Sequence, residues 1–409
     1  MAERADLWAV SGSTVIVMLG QGIIAPVLPL YAADFGVSLT MIGVVLSAFA
    51  LARMVLNTPL GLVADRKGRR PLLVGGPVVL AIGMAGSGFA PNVGVLIGWR
   101  FVSGVGSAMY MTGAMIHLAD IAGPEQRARY LGINQAAVQL GVSIGPAIGG
   151  LISEAFGLRS PFYFVAGSAA LAGLYAWFRL AETRPERPPQ TDRRYRRGAG
   201  RSLLRSPGFV PVSLVALAVF LTRGTARGSL VPLMGSEVFG MSPGKLGLLL
   251  SAMSAVNLAL LLPAAWIADR FGRRIAIIPS LVGTAVALVL FGLADSLPPF
   301  LVAAGVLALA SSGSGPAPAA FAADTAPDDM RGLAFGIYRT AADFGLLIGP
   351  PLLGAIADAA GFGPAFYANA GLVAGVALVF AIWGRAAPRS PAPGDSGLRE
   401  SREGQVSAG

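Results

Sequence analysis

The chain has 409 residues, 54% of them hydrophobic and 13% charged, with a mean hydropathy of +0.67. That much apolar surface cannot be hidden inside a soluble core of this size, so a water-soluble globular protein is excluded and lipid is the solvent. A net charge of +10 does not indicate nucleic acid here, because the basic residues segregate by side of a membrane instead of forming one patch.

A helix needs about 20 apolar residues to cross roughly 30 Å of hydrocarbon. Spans are expected at 8–33, 40–64, 71–91, 93–118, 129–154 and 161–181, then at 208–234, 244–266, 274–294, 296–322, 333–358 and 363–386. The fold class is an all-α membrane protein of twelve helices. Residues 1–181 form one six-helix bundle, 182–207 a basic linker, 208–386 a second bundle, and 387–409 a disordered tail rich in Pro, Ser, Gly and charge. Met1 to Trp8 lacks a basic n-region and a cleavage site, so the first helix is expected to stay as an anchor.

Of the 31 Lys and Arg, Arg159 and Lys245 fall on one side and five sit at membrane depth, while the rest gather on the side of the termini. The positive-inside rule makes that side cytoplasmic and the protein a multi-pass component of the cytoplasmic membrane. The run Arg193, Arg194, Tyr195, Arg196, Arg197 belongs to the linker, where anionic headgroups suit it better than nucleic acid. Zero cysteines exclude disulfides and thiol chemistry. With His117 as the sole histidine, no catalytic set, metal cluster or phosphate loop is visible, so neither an enzyme nor a bound cofactor or metal is expected.

The two halves repeat at a constant offset of 204 residues. After the second span come Gly61, Asp65, Arg66, Gly68, Arg69 and Arg70, and after the eighth Asp269, Arg270, Gly272, Arg273 and Arg274. Gly68 permits a tight turn, and the guanidinium forks can bridge carboxylates and helix-end carbonyls. A tight loop with ordinary positive-inside arginines is the plainer alternative, but two copies in matching loops favour a mechanical role.

The fifth span carries Gly132, Gly141, Gly145, Pro146, Gly149 and Gly150, and most of the set recurs in the eleventh as Gly336, Gly345, Gly349, Pro350 and Gly354. Glycines four apart line one face and admit a neighbouring helix to backbone contact. Pro146 is expected to bend the helix.

These stretches resemble the major facilitator superfamily of secondary transporters over nearly the whole chain. The loops resemble its motif A, with Ala265 in place of the leading glycine of the second copy. The fifth span resembles motif C, associated there with drug and metabolite efflux. Trp99-Arg100 with Gly104 is similar to motif B, whose arginine is implicated in proton coupling, and Pro26-Val27-Leu28-Pro29 to the drug-efflux branch. The resemblance implies that helices one, four, seven and ten line a cavity and that the Asp65 loop latches the cytoplasmic ends of an outward-facing carrier. Such carriers often hold an acid midway along the first or fourth helix; here the first offers Ser11, Ser13, Thr14 and Gln21, with Asp34 only at its outer end.

Ionisable residues at membrane depth are costly and mark pathways or buried pairs. They are Arg53, Arg100, His117, Arg223, Arg227, Arg339 and Asp343. Arg339 and Asp343 stand four apart, on one face of the eleventh helix, where the fifth has the neutral Gln135 and Gln139. Coupling through Asp343, Arg339 and Arg100 is one expectation, and a static ion pair is the other. Arg223 and Arg227, with Arg100, would make the cavity electropositive and suit an anion. Gln21, Met109, Tyr110, Arg223, Arg227 and Ser312 are the candidate substrate contacts. The tenth helix, from Ser311 to Pro318, is expected to be weak and kinked. Together these residues point to a monomeric, gradient-driven carrier that exports a small amphipathic compound in exchange for protons. Uptake of a polar or anionic metabolite, and a receptor built on a carrier fold, are the alternatives.

Overall fold

In hydrocarbon every backbone N–H and C=O must be satisfied within the chain, which leaves the helix as the element for an open-ended apolar segment. The computed structural model describes residues 2–122, 126–180, 182, 203, 206, 208–326 and 330–384, and among these it contains helices and no strand. Most of the basic linker, including the Arg193–Arg197 run, and the whole of the 387–409 tail lie outside the described residues.

Twelve helical spans are present. The first runs from Ala2 to Ile24, breaks at Ala25–Pro26 and resumes over Val27–Ala33. Spans two to six are Leu39–Lys67, Arg70–Gly88, Val93–Ile121, Arg127–Phe156 and Ser160–Arg179. The seventh is composite: α-helix Phe209–Thr222, a π-helical stretch Arg223–Leu230, then α-helix Val231–Glu237. Spans eight and nine are Pro243–Phe271 and Arg273–Leu293. The tenth joins Leu297–Ala310 to Pro316–Asp324 through a 3₁₀ turn at Ser311–Ser314, the weak segment that its Ser, Gly and Pro content led us to expect. Spans eleven and twelve are Arg331–Ala360 and Phe362–Trp383.

The sequence offset is also a backbone offset. Of the seven positive-φ glycines among the described residues, six pair at 204 residues: Gly36 (67°) with Gly240 (60°), Gly68 (97°) with Gly272 (99°), and Gly157 (87°) with Gly361 (89°), leaving Gly208 unpaired. In the left-handed region a Cβ is strained, so each pair fixes the same reversal in both halves. Ser38 and Ser242, one more such pair, cap spans two and eight by accepting from the amides of Met41 and Lys245. Because each half has six spans, both halves begin and end on one face, called here the basic face.

Each half packs as a lobe, with span one on span five in the first and span seven on span eleven in the second. The lobes meet through two crossed pairs, span two on eleven and span five on eight. The exposed apolar side chains, Phe156, Phe178, Leu171, Leu262 and Trp383 among them, stand on outward surfaces that lipid covers.

Candidate functional site

Small residues let the lobes touch backbone to backbone at the end away from the basic face. A Cβ on Gly43 would fall on the Pro350–Pro351 peptide, and one on its repeat partner Gly247 on the carbonyl of Pro146. At Gly150 it would lie 3.0 Å from Gly247 Cα, and at Gly354 2.6 Å from Leu39 O. Across the same seam Ser47 Oγ donates to Leu347 O at 2.5 Å, and the amide of Ala147 donates to Ser251 Oγ at 2.8 Å. The seam ends on a carboxylate. Asp358, at the end of span eleven, accepts from Leu39 N (2.8 Å), Thr40 N (2.9 Å) and Thr40 Oγ1 (2.5 Å), the first turn of span two in the other lobe. Its repeat partner Glu154 stands against Gly244 at the start of span eight. A carboxylate on a helix N-terminus meets both free amides and the positive end of the dipole.

Toward the basic face these cross-lobe bonds cease. Among the described residues no hydrogen bond or ion pair joins residues 48–67 to 331–346, or 127–146 to 252–271, and Gly61, Gly132 and Gly336 face open space. Among the described residues the lobes are bonded to one another at the end away from the basic face and not at the basic face.

The two Gly68-type turns lie at the open end. Arg69 is almost wholly buried; its Nε donates to Asp120 at 2.7 Å, one terminal nitrogen donates to Ala64 O at 3.0 Å, and the other lies 3.7 Å from Asp65. Arg70 donates to Trp177 O at 2.8 Å and lies over the Trp177 ring. Arg273 repeats this with Asp269 (2.6 Å) and Asp324 (3.4 Å), and Arg274 bonds Ala381 O. Asp120 with Asp324, and Trp177 with Ala381, are again 204 apart. Only the first turn has Glu182, which accepts from the amides of Arg69 and Arg70. The turns brace each lobe internally. Asp65 is half exposed, and the arginine it pairs with belongs to its own lobe. A recess of about 880 Å³ beside the second turn, lined by Arg270, Arg274, Phe321 and Asp324, is separate from the gap between the lobes.

The glycines of span five divide by partner. Gly141, Gly145 and Gly149 face Leu19, Gly22 and Ile23 of span one, whereas Gly150 faces span eight. Gly132, expected to pack with them, has nothing within 4 Å of where its Cβ would be, and neither does its repeat partner Gly336. Span five is helical through Pro146.

Several of the expected cavity contacts have partners within their own lobes. Tyr110 is fully buried inside the first lobe, its hydroxyl donating to Val10 O at 3.0 Å and lying 3.0 Å from Thr14 Oγ1, which in turn donates to Asn134 at 2.8 Å. Met109 packs on Gly75 of span three. Arg100 does not add charge to the gap: it is 6% exposed, lies over the Phe49 ring and donates one nitrogen weakly to Met84 Sδ, with Gly104 admitting span two at Phe49 O. Gln21 donates to Ser107 at 3.1 Å, tying spans one and four, and Ser312 is buried and bonded to Ala308 O.

What the structure does bring together is charge at mid-depth between spans two, seven and eleven. Arg339 Nε lies 3.6 Å from Asp343 Oδ2, the acid 5% and the arginine 43% exposed. Arg53 interacts electrostatically with both, Arg223 with Arg339, and Arg227 with Arg223. The π-helical stretch that bears Arg223 and Arg227 packs on spans eleven and two, with Gly224 against Leu346 and Gly228 against Leu46. In the sequence Arg53 stands out only as a costly charge, and the π-helix leaves no signal. Asn257, which ties span eight to Ala308 O and Ser311, also escapes the sequence reading; it is the one amide midway along the eighth span and is recognisable as such.

Comparison with known proteins agrees with this architecture. The chain is 26% identical over 369 residues to the quinolone resistance protein NorA of Staphylococcus aureus, covering 89% of this chain and 93% of that protein. It is 25% identical over 389 residues to multidrug resistance protein 2 of Bacillus subtilis, covering 93% and 96%. A bacterial homologue of the human lysosomal transporter Spinster, solved inward-facing and occupied, superimposes with a TM-score of 0.81 at 17% identity, over 94% of this chain and 98% of that one. The family model described as Major Facilitator Superfamily matches residues 10–224 and again 212–405, once for each half. The chain is therefore a member of the Major Facilitator Superfamily, a multi-pass membrane carrier rather than an enzyme.

Proposed function

We propose that this carrier exports a small amphipathic compound by alternating access, with protons moving the other way. The observation that carries this reading is the asymmetry between the lobes: bonded along one end, from Ser47–Leu347 to Asp358–Thr40, and apart at the other. Two like-oriented lobes that rock about a mid-depth site expose it to one side at a time. The basic face is the cytoplasmic one by its excess of Lys and Arg, so the open gap faces the cytoplasm, both termini are cytoplasmic, and this is the loading state of an exporter in the cell membrane. The names of the resistance proteins it resembles support the outward direction. Each lobe pair is complete within one chain, which suits a monomer.

When the lobes rock the other way, the seam parts and the basic ends close. Asp65, half exposed and tied to its own Arg69, then becomes available to the opposite lobe, which is the latch expected of the first turn. Asp343 is the acid at mid-depth, and its pairing with Arg339 beside the gap makes it the candidate group for coupling transport to the proton. Transport into inverted vesicles, with and without a pH gradient, tests the reading. Asp343→Asn is expected to fold and insert but to lose gradient-driven transport, and undiminished proton-driven transport by that variant removes Asp343 from the mechanism.

A further inference from the structure

Of the 21 Asp and Glu, Asp343 is the one set in the middle of a span; the others lie at span ends, in turns, in the linker or in the tail. Four arginines from three spans lead to it: Arg339 and Arg53 interact with Asp343 itself, Arg223 with Arg339, and Arg227 with Arg223. Arg53 and Arg223 are at the centres of Leu39–Lys67 and of the composite seventh span, Arg227 is about one turn further on, and Arg339 is the ninth of the 30 residues of Arg331–Ala360. Four cations and one carboxylate leave an excess of three positive charges at the depth where carriers of this architecture hold their substrates. Arginines at that depth are too costly to persist without water, a partner or a ligand. Arg339 spends one contact on Asp343 and is otherwise open, Arg223 is exposed, and a buried terminal nitrogen of Arg227 has no hydrogen-bond partner. Arg100 does not share this position, being closed inside the first lobe over Phe49. The π-helical stretch Arg223–Leu230, which bears two of these arginines, packs on spans two and eleven, with Gly224 against Leu346 and Gly228 near Leu46, each one residue from the Ser47–Leu347 bond of the seam. Irregular helix of this kind concentrates at functional sites.

We infer that the substrate carries an anionic head, a carboxylate or a group of like geometry, held at mid-depth by Arg223, Arg227, Arg339 and Arg53, with Asp343 as the resident counter-anion in the empty carrier. The planar forks of these arginines match a carboxylate by paired N–H donors. A cationic amphiphile would enter against the excess charge. This rests on the carrier reading but not on the proton: an anion leaving a cell of negative interior potential moves down its electrical gradient.

Three probes with the same apolar body test it: 4-butylbenzoate, 4-butylbenzamide and 4-butylbenzylammonium, titrated against the full-length protein in nanodiscs. The benzoate is expected to bind about tenfold more tightly than either of the others, the scale of a hydrogen-bonded charge. Arg227→Gln and Arg223→Gln should each remove most of that preference, while Arg227→Lys, which keeps the charge, should retain it at reduced affinity. Asp343→Asn should bind the benzoate several-fold more tightly because the competing anion is gone, whereas loss of a merely structural Asp would weaken all three probes. Equal binding of the probes, tighter binding of the ammonium, no benzoate binding up to millimolar concentration, or an unchanged preference in both Gln variants would overturn the inference. Binding is read without flux, so transport of the ammonium alone would spare the carrier and remove the anion site; benzoate binding with no flux of any probe would do the reverse.

Discussion

Asp358→Asn should release the sealed end of the carrier. Its carboxylate accepts three hydrogen bonds from Leu39 and Thr40, across the two lobes and at a helix N-terminus. Asparagine keeps the size and one acceptor but loses the charge that the helix dipole stabilises. Asp358 is exposed, so solvent screens the interaction, and the upper part of the range for exposed charges at helix ends applies because three donors converge: about 1 kcal/mol. That energy belongs to the seam alone, since it is absent once the lobes part, and so it converts directly into population, about fivefold in favour of the state open at the other end. The chain has no cysteine, so a single Leu46→Cys, lying beneath the seam beside Gly228, reports opening without background. Labelling by a membrane-impermeant maleimide added outside whole cells should be about fivefold faster with Asp358→Asn than without it, and Glu154→Gln should act in the same direction. An unchanged rate in a normally expressed, inserted protein would refute the idea that this carboxylate holds the seam.

Two glycines of one span should respond oppositely. A Cβ at Gly145 would sit 2.5 Å from Gly22 Cα, so Gly145→Ala should cost about 1–3 kcal/mol in thermal unfolding of the purified protein through overpacking, whereas Gly132→Ala, which meets open space, should gain up to about 1 kcal/mol from helix propensity. A similar loss for both would show that the gap at Gly132 is not open. Arg69→Ala leaves Asp120, three-quarters buried, without its guanidinium and should cost about 3 kcal/mol, while Arg273→Ala, whose partners Asp269 and Asp324 are more exposed, should cost about 1 kcal/mol or less. Equal losses in denaturant or thermal unfolding would mean that the first turn braces its lobe no more than the second.

Sequence showed the spans and their repetition because both rest on signals that need no tertiary information: runs of apolar residues, and identity at a fixed spacing. The repeat holds more than the arginine turns and the glycines. Asp120 with Asp324 and Glu154 with Asp358 stand at the same offset, so the arginine brace and the carboxylate seam were both available from one subtraction. Rotation of a helix about its own axis was not available. A span that is apolar all round has no polar face to mark which side turns to solvent, to lipid or to its neighbours, so nothing in the pattern told Tyr110, sealed with Thr14 and Asn134, from a residue facing the gap. For the same reason the pattern leaves Arg100 a cavity candidate, whereas it lies over Phe49 inside its lobe. The π-helical stretch at Arg223–Leu230 arises from how span seven meets spans two and eleven, and no local propensity announces it.

Alternating access itself is tested by two distances in one preparation. Spin labels at Leu62→Cys and Phe335→Cys bracket the open basic end between spans two and eleven, and labels at Phe156→Cys and Val238→Cys bracket the sealed end; all four native side chains are exposed. Pulsed electron double resonance in nanodiscs should give a long basic-end distance and a short sealed-end distance in the empty protein. Asp358→Asn should then add a second population in which the first shortens as the second lengthens. Distances that stay fixed, or that grow and shrink together, would contradict a carrier that opens to one side at a time.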